Sequence, residues 1–474
     1  MKTECIPEQL EFHALSKRDV VGRFDGGHIT SDGGGLLLRE VDLRLGLMDR
    51  LAGCFSDHRN PNSIEHSVAA LVAQRVYALA LGYEDLNDHD HLRADSLLAL
   101  LVGKHDLTGE HRGRVRDQGC PLAASSTLNR LELSTPESAA DDRYKKIAAD
   151  PDALDRLLVD LFIESYEKPP REIWLDLDAT DDPLHGHQEG RFFHGYYYHY
   201  CYLPLYIFSG EHLLCARLRS SNQDGAAGSV EELQRIINQI RASWPKTRII
   251  IRGDSGFCRD AIMSWCEDNH VGYVLGLARN KRLHRALGRE MAEAHAEHEM
   301  SGKSARRFRD FRYRTRKSWS TERRVVGKAE VLPGKANPRF VVTNLPVSRA
   351  GAKRLYEKLY CVRGEMENRI KEQQLGLFGD RTSTATLRAN QLRLYFSSFA
   401  YALMQGLRRL GLKDTQHAKA QCTTIRLKLL KIGARIRITV RKVWLSFSQG
   451  YPYARDFEQI LANLRCYPAW APPG

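Results

Sequence analysis

The chain has 474 residues, which at roughly 150 residues per domain suggests about three domains. Hydrophobic residues make up 42% of the sequence and charged residues 27%, so the chain can bury a real core and is not an intrinsically disordered protein. The net charge of +13 is uneven: residues 1–170 sum to −9, residues 171–280 to −3 and residues 281–474 to +25. A positive surplus confined to one part of a chain favours a polyanionic partner, above all nucleic acid.

The sequence argues against a membrane protein and against a secreted one. Its first residues contain no apolar stretch of signal-peptide type. The longest segment without Asp, Glu, Lys or Arg, Phe192–Gly210, contains Pro204 and several tyrosines, which indicates a strand and not a membrane helix. The ten cysteines form no C-x-x-C motif and no Cys/His pairing at zinc spacing, so we expect reduced thiols in a cytoplasmic protein.

Residues 1–170 are predicted to form a helical N-terminal region. Apolar residues at helical spacing in segments 62–83 and 154–161 predict helices, and the prolines at 169–170 indicate a boundary. Segment 88–91 reads Asp-His-Asp-His, which are metal-ligand residue types, but its position between helices favours a polar connector.

After residue 170 the pattern changes to strands. Five strands and two helices are predicted, in the order strand 172–178, strand 195–208, strand 212–220, helix 229–244, strand 247–254, helix 259–269 and strand 271–278. Three consecutive strands followed by helix, strand, helix and strand indicate a mixed sheet of the α/β class. This order is the one used by the ribonuclease-H-like fold, so we predict a core of that type with residues 171–282 as its first part.

Between residues 283 and 346 we predict an insertion of short antiparallel strands. Residues 301–330 contain 11 Lys and Arg against three Asp and Glu, interleaved with aromatic residues. Because a solvated strand face normally mixes both signs of charge, this composition favours contact with nucleic acid. We expect Arg312, Arg314 and Arg316 to contact DNA.

Helical patterning resumes after the basic insertion. Residues 347–410 are predicted to be the second part of the core, and residues 411–474 to form a basic C-terminal region that is partly strand-like.

Two of the predicted strands end in carboxylates. Asp176 and Asp178 share one face of the first strand, because strand side chains alternate with a period of two. In the segment Ile249–Gly256, three apolar residues lead almost directly to Asp254. Acids at the ends of apolar strands cost desolvation energy unless they are solvated, paired or bound to a metal. Each strand end alone is a weak indication of a catalytic site.

A third carboxylate lies in a predicted helix. Tyr360, Arg363 and Glu367 occupy positions 0, +3 and +7, so an α-helix would present them on one narrow face. Lys371 and Gln374 continue the same stripe. The stripe fits an exposed helix face with a Glu367–Lys371 ion pair at i,i+4, and it also fits the third part of a site formed with the two strand-end acids.

These segments resemble the DDE-type insertion-sequence transposases of the cut-and-paste kind, transposase DDE domain group 1. The signature helix of this group reads Tyr, two residues, Arg, three residues, Glu, six residues, Lys. Tyr360, Arg363 and Glu367 match this spacing, whereas Gln374 stands where the family has Lys; Lys371, one turn earlier, would take its place. The similarity extends over nearly the whole chain through four further segments: SDGGGLLLREVDLRLGL, LGYEDLNDHDHLRADSLLALLVGK, DLDATDDPLHGHQEG and IIIRGDSGF.

The resemblance implies that Asp178, Asp254 and Glu367 form the catalytic triad and bind the metal ions, with Asp176 as the alternative first acid. The implied cofactor is Mg²⁺, with Mn²⁺ as a substitute, because two such ions relieve the repulsion between clustered carboxylates. The implied reaction is two-metal phosphoryl transfer that cleaves and joins DNA strands at the ends of the mobile element.

The resemblance also implies the partners. Tyr360, Arg363 and Lys371 would contact DNA beside the acids, since a guanidinium suits bidentate contact with phosphate oxygens. The partner would be double-stranded DNA, both the terminal inverted repeats of the element and its target, held by a homodimer in a synaptic complex at the bacterial nucleoid. The family's β-strand insertion between the second and third acids corresponds to residues 283–346.

Two other classes of protein remain as alternatives. A DNA-binding protein derived from a transposase but without catalytic activity would have the same charge distribution, although an intact set of three acids argues against it. A hydrolase that uses paired carboxylates on a sugar would leave the +25 charge of residues 281–474 unexplained.

Overall fold

The computed structural model describes residues 9–135 and 144–471. Residues 1–8, which belong to the segment without signal-peptide character, lie outside the described residues. The chain forms two compact units, one made of residues 1–149 and 403–474 and the other of residues 150–402. All candidate site residues belong to the second unit. The five-part division of the chain at residues 170, 282, 346 and 410 stays a prediction.

The N-terminal part of the first unit contains helices and short strands. The strands are β1 (Leu10–Leu15), β2 (Arg18–Gly22), β3 (His28–Thr30), β4 (Phe55–Asp57) and β5 (Ile147–Ala149). The helices are α1 (Leu36–Leu45), α2 (Leu47–Ala52), α3 (Val68–Leu81), α4 (His89–Leu92), α5 (Ser96–Val102) and α6 (Ser125–Leu133). Strand β1 pairs with β2, its neighbour along the chain, whereas β4 pairs with β5, whose residues lie 90 to 94 positions later.

The second unit is built around strands. They are β6 (Glu172–Ala179), β7 (Asp182–Pro183), β8 (Phe192–His194), β9 (His199–Tyr202), β10 (Leu205–Ser209), β11 (His212–Arg217), β12 (Arg248–Gly253), β13 (Gly272–Leu277), β14 (Ala305–Tyr313), β15 (Arg323–Leu332), β16 (Lys335–Ala336) and β17 (Arg339–Thr343). The helices are α7 (Pro151–Glu164), α8 (Ser229–Ser243), α9 (Asp260–Asp268), α10 (Lys281–Ala286), α11 (Gly288–Ser301), α12 (Ala352–Arg354), α13 (Gly364–Leu377) and α14 (Leu387–Gly406).

One large mixed sheet organises the second unit. Within residues 150–402, all of which the structure describes, nine strands join in the order β11–β10–β6–β12–β13–β17–β15–β14, with β16 beside β15. Strands β6, β12 and β13 run parallel to one another, whereas the other neighbours pair antiparallel. The predicted mixed α/β class is therefore confirmed.

The basic strands of the predicted insertion extend this same sheet. Strand β17 pairs with β13, and β15 and β14 follow outward. The helices α10 and α11 precede these strands and were not expected from the sequence. Along α11 the buried residue is Ala294, so this helix has almost no apolar stripe through which its period could be recognised.

Alternation along β6 sorts its side chains between the two faces of the sheet. Ile173, Leu175 and Leu177 pack into a hydrophobic core with apolar residues of α7, α8 and α9. The intervening residues, among them Asp176 and Asp178, therefore face the opposite side. On that side a second cluster joins β12, β13, β15 and β17 to the segment that contains Leu355 and Tyr356.

That covering segment is not a regular α-helix. It begins as α12, continues as a π-helical turn at Leu355–Tyr360 and a 3₁₀ turn at Cys361–Arg363, and becomes α-helical again in α13. A constant rotation per residue therefore does not describe the path from Tyr360 to Glu367. π-Helical turns inside helices are frequent at functional sites.

The C-terminal part of the first unit completes a sheet begun near the start of the chain. Its elements are π-helical turns at Leu407–Gly411 and Arg426–Leu430, α15 (Cys422–Ile425), β18 (Ala434–Ile438), β19 (Val443–Phe447) and α16 (Ala454–Arg465). Strand β18 pairs with both β19 and β3. None of the helices in residues 9–135 and 144–471 has the length and apolar character needed to cross a membrane.

Candidate active site

The parallel pairing of β6 and β12 brings the first two acids to the same level of the sheet. Arg252 lies opposite Asp176, and Gly253 lies opposite Leu177. One step further along each strand, Asp254 follows β12 next to Asp178 at the end of β6. The carboxyl ends of neighbouring parallel strands thus carry both strand-end acids, on the face that α13 and the turns before it cover.

Asp176 is occupied by a buried ion pair. The guanidinium of Arg252 donates to both of its carboxylate oxygens, with Nε–Oδ1 and Nη2–Oδ2 distances of 2.5 and 2.7 Å. Arg252 also donates from Nη1 to the backbone carbonyl of Leu359 at 2.6 Å, and both charged side chains are buried. A carboxylate held bidentately inside the protein has a structural role, which supports Asp178 over Asp176 as the first acid.

Arg363 links the first acid to the third. Its Nη1 lies 3.6 Å from Oδ1 of Asp178, and its Nη2 donates to Oε1 of Glu367 at 2.7 Å. Burial raises the pKa of Asp178 to about 6; the charge of Arg363 opposes this rise, and the negative charges of Asp254 and Glu367 add to it. The three acids therefore lie close enough to influence one another electrostatically.

Tyr360 approaches the end of β13 because position 276 is a glycine. A Cβ atom at Gly276 would lie 2.6 Å from the Tyr360 hydroxyl and 2.9 Å from the backbone nitrogen of Ser255. Such distances are shorter than real contacts, so only glycine leaves room here. The Tyr360 hydroxyl is thereby placed next to the turn that follows Asp254.

A cavity of about 430 Å³ opens beside Asp254. Its walls include Tyr360 and Arg363, together with Arg279 after β13 and Arg339 at the start of β17. Both of these arginines are exposed, and the sequence analysis missed them. Arg279 follows a buried strand that runs parallel to the two acid-bearing strands, and this position was the signal that could have indicated it.

The two residues at the end of the signature stripe lie in different environments. Lys371 is exposed. Gln374 is buried and donates from Nε2 to Oδ1 of Asp182 at 2.6 Å. Burial raises the pKa of Asp182 above its ordinary value, so the neutral amide of Gln374 sits beside a carboxyl that favours its protonated form.

Much of the positive charge in residues 301–330 is used inside the protein. Six cations on β14 and β15 form ion pairs with acids at distances of 2.5 to 3.5 Å: Arg306 with Glu330, Arg307 with Glu297, Arg309 with Glu290, Arg323 with Asp260 and Glu267, Arg324 with Asp310, and Lys328 with Glu330. Arg312, Arg314 and Arg316 are exposed where β14 ends and the loop towards β15 begins, and the ion pair of Arg312 with the exposed Glu322 is longer, at 3.6 Å. Within residues 301–330, these three arginines therefore remain the residues that we expect to contact DNA.

The candidate acids suit a hard divalent cation by their chemistry. In the part of the chain that the structure describes, no three His, Cys, Asp or Glu side chains converge as a metal-binding group, and Arg363 bridges Asp178 and Glu367. Carboxylate oxygens are nevertheless the donors that Mg²⁺ and Mn²⁺ prefer. The raised pKa of Asp178 also identifies a carboxylate that a nearby cation would stabilise, so the donor set fits such ions.

Comparison with known proteins identifies the family. The model of the family Transposase DDE domain group 1 matches residues 12–469, so the chain belongs to this family and the resemblance inferred from its motifs is confirmed. Among solved structures, the chain is similar to piggyBac transposase in a synaptic complex with hairpin DNA, with 10% sequence identity and a TM-score of 0.40 over 84% of this chain and 79% of that chain. No curated protein matches the chain.

Proposed function

We propose that the protein is a DNA transposase that cleaves and joins DNA strands at the ends of its own mobile element. The observation that carries this proposal is the bridge that the Arg363 guanidinium makes between Asp178 and Glu367, with Asp254 on the neighbouring strand close enough to act electrostatically on Asp178. An acid such as Asp178, whose pKa is raised by burial and by the charges of two neighbouring acids beside an open cavity, is typical of a catalytic site. Membership of the DDE family agrees with this chemistry.

The sheet supports a ribonuclease-H-like core. Strands β11, β10 and β6 form an antiparallel meander, and β12 and β13 continue parallel to β6 on its other side. Along the chain these elements follow the predicted order, except that the predicted strand 195–208 is divided into a turn at residues 195–198 and the separate strands β9 and β10. In the proposed core the first acid belongs to the central strand β6 and the second acid follows the adjacent strand β12.

We propose that Asp178, Asp254 and Glu367 hold two Mg²⁺ or Mn²⁺ ions. Bound there, such ions would polarise the scissile phosphate and lower the pKa of an attacking hydroxyl group. The protein's own contribution is to fix the three carboxylates on two rigid strands and one helix. Their arrangement supplies negative charge where the sheet ends and the cavity begins.

The surrounding side chains would position the DNA. Arg363 Nη1 is buried and makes no hydrogen bond within the described residues, so it has a donor available for a phosphate oxygen. Arg279 and Arg339 would bind phosphates at the cavity wall, and the Tyr360 hydroxyl would contact the strand next to Asp254. Lys371 would bind DNA further along α13.

The expected substrate is double-stranded DNA that includes the terminal inverted repeats of the element and its target. We propose that two copies of the chain bring two ends together in a synaptic complex, in the bacterial cytoplasm at the nucleoid. The exposed arginines 312, 314 and 316 would hold the phosphate backbone outside the catalytic cavity.

A magnesium-dependent nicking assay tests the proposal. The substrate is DNA from the flanks of the protein's own gene, and we expect cleavage by the wild type in Mg²⁺ but not in EDTA. Asp178→Asn, Asp254→Asn and Glu367→Gln should each abolish cleavage. Glu365→Gln is the matched control, because Glu365 is an exposed acid on the same helix but lines a different cavity.

The competing proposal is a DNA-binding protein derived from a transposase without catalytic activity. It predicts that the wild type binds flanking DNA but does not cut it in Mg²⁺ or Mn²⁺. Binding without cleavage would favour this alternative, whereas loss of cleavage in the three acid variants but not in Glu365→Gln would favour the enzyme.

A further inference from the structure

Along the chain, between strand β6 with Asp178 and strand β10, a hairpin exposes several large aromatic rings. Strands β8 and β9 and the loop between them form this aromatic hairpin, residues 192–202. Tyr196 and Tyr198 are 79% and 82% exposed. Three further exposed rings belong to Phe192, Phe193 and Tyr200. Large rings exposed side by side mark an interaction surface, because isolated exposed apolar residues are common but clusters are not.

The fold holds the two outermost tyrosines in place. Tyr198 has a φ of 59°, a left-handed conformation that is uncommon for a bulky residue. Its backbone N–H donates to the carbonyl of His194 at 2.9 Å, which closes a tight turn. Between them, the half-buried Tyr197 packs against His194 and Tyr196, with ring centroids 4.9 and 5.0 Å away. The inner ring thus supports the tip while Tyr196 and Tyr198 remain open to solvent.

The aromatic hairpin is anchored next to the candidate acids. Strand β9 pairs with β7, which begins four residues after Asp178. At the base of the hairpin, Nε2 of His199 lies 2.7 Å from a carboxylate oxygen of Asp181. Burial raises the pKa of Tyr197 to about 12, and the negative charges of Asp181 and Asp178 add to this rise. The hairpin therefore lies beside the proposed site of DNA cleavage.

The charge of the aromatic hairpin suits a polyanion. From residue 191 to residue 202 the sequence contains Arg191 and two histidines but no Asp or Glu. The guanidinium of Arg191 lies over the ring of Tyr200, 3.8 Å from its centroid. Exposed rings beside a cation, with the nearby Asp181 carboxylate engaged by His199, suit single-stranded nucleic acid, because the rings offer stacking platforms for the bases and the cation attracts the phosphates.

We propose that the aromatic hairpin stacks on unpaired bases of the DNA strand next to the cleaved phosphodiester. This inference rests on the proposed transposase function and adds a substrate feature to it, namely preference for DNA that is locally unpaired at the site. Stacking is tolerant of sequence because every base has a π-face, and loss of one stacked ring costs roughly ten-fold or more in affinity.

Binding of two DNAs to the full-length protein tests the inference. One is a fluorescently labelled duplex, and the other is the same duplex with a short central bubble of mismatched thymines; both are titrated in EDTA so that no cleavage occurs. We expect the wild type to prefer the bubble. The double variant Tyr196→Ala/Tyr198→Ala should lose about ten-fold or more in affinity for the bubble and little for the paired duplex.

Two control proteins sharpen the test. Tyr196→Phe/Tyr198→Phe keeps both rings and should retain the preference, because stacking needs the ring and not the hydroxyl. Tyr144→Ala removes a tyrosine of the first unit that is 54% exposed and also lies beneath a guanidinium, that of Arg130. This change should leave both affinities as in the wild type. Thermal unfolding of each variant verifies that the exposed substitutions leave the fold intact.

Each possible result decides the matter. An equal loss on both DNAs, or no loss on either, would overturn the inference while leaving the transposase proposal standing. A changed sedimentation coefficient with an unchanged bubble preference would make the hairpin a protein–protein surface and would also overturn it. A wild type that binds neither DNA would overturn the transposase proposal, and the inference with it.

Discussion

Asp176 and Asp178 are two residues apart on the same strand face, yet their surroundings give them opposite properties. Asp176 is neutralised by the two hydrogen bonds from Arg252. Asp178 is half-buried near two other acids and lies 3.6 Å from a guanidinium nitrogen of Arg363 that makes no hydrogen bond within the described residues. The carboxylate of Asp176 therefore already has its counter-charge, whereas the carboxylate of Asp178 would gain most from a bound cation.

Replacing Asp176 by Asn should destabilise the protein strongly, because it leaves the buried Arg252 guanidinium without its counter-charge. We expect a loss of about 3–5 kcal/mol in the free energy of unfolding, measured by urea denaturation in EDTA. Asp178→Asn is the matched control on the same strand face and should not show this loss. Equal destabilisation by the two substitutions would contradict their different roles.

Asp178 should make stability depend on pH in the opposite sense to an ordinary salt-bridged acid. Its folded-state pKa of about 6 exceeds the ordinary 3.8, so the folded protein keeps a proton that the unfolded chain releases between these values. Stability therefore falls as the pH rises from about 4 to 6, and the penalty persists above that range.

Asp178→Asn removes that penalty. In EDTA at pH 8 the variant should be more stable than the wild type by up to about 3 kcal/mol, and near pH 4 the two proteins should be equally stable. Denaturant titrations of both proteins at the two pH values measure the difference. A variant that is less stable than the wild type at pH 8 would show that ionised Asp178 is already well compensated.

At the scale of secondary-structure elements, helix α4 buries a histidine where the sequence suggested only a polar connector. His89 is completely buried, with Nδ1 3.0 Å from Nε2 of Gln74 and Nε2 3.2 Å from Nη1 of Arg75. Burial and the charge of Arg75 lower its pKa to about 3. The imidazole is therefore neutral and structural.

The neutral His89 should weaken the protein in mild acid. Above pH 6.5 the imidazole is neutral in both the folded and the unfolded chain. As the pH falls from 6.5 towards 3 the free energy of unfolding decreases, because the unfolded chain takes up a proton that the folded protein excludes. His89→Gln should reduce the slope of unfolding free energy against pH by about 1.4 kcal/mol per pH unit between pH 6 and 4. Exposed His111→Gln is the control, and an identical slope in both variants would refute the assignment.

The sequence predicted the strands that carry the acids because their signal is local. Each is a short apolar run that ends in polar residues, and the buried strands β6, β12 and β13 appear where these runs lie. The placing of Asp178 and Asp254 at the same level then follows from the parallel pairing. The sequence did not distinguish Asp176 from Asp178, because the partner that occupies Asp176 is 76 residues away.

Other parts of the fold had no local signal. The buried residue of helix α11 is Ala294, so the sequence has no helical repeat of apolar residues from which this helix could be predicted. The π-helical turn before Arg363 changes the rotation per residue. The prediction that Tyr360, Arg363 and Glu367 share one face assumed the constant rotation of an α-helix. The pairing of β17 with β13, which adds the basic strands to the central sheet, joins residues 63 to 69 positions apart.

At the scale of the whole molecule, the net charge overstates the surface available to DNA. The surplus of +25 in residues 281–474 includes the arginines of β14 and β15 that pair with acids, and those cations are compensated in the folded protein. What remains for a polyanion is the set of exposed cations without a close acid among the described residues, which includes Arg314 and Arg316, together with Arg312, whose ion pair with the exposed Glu322 is 3.6 Å long.

Reversing Arg312, Arg314 and Arg316 to Glu should weaken binding to all DNA sequences alike. The plot of log affinity against log salt should become shallower by about 0.9 for each phosphate that the protein no longer neutralises, as measured by anisotropy titrations at several salt concentrations. The control reverses three exposed arginines of the first unit, Arg23, Arg114 and Arg116. Equal effects of the two triple variants would mean that net charge alone governs binding.

The pairing of β3 with β18 also fixes the order in which the chain can fold during synthesis. A ribosome that has released residue 402 has already delivered the second unit with all three acids, whereas the strand that pairs with His28–Thr30 emerges only at Ala434–Ile438. The first unit therefore lacks its C-terminal strands while about 250 residues of the second unit are synthesised and can fold. A message cut short near residue 402 would yield a product with the acids in place and an incomplete, aggregation-prone N-terminal segment of residues 1–149.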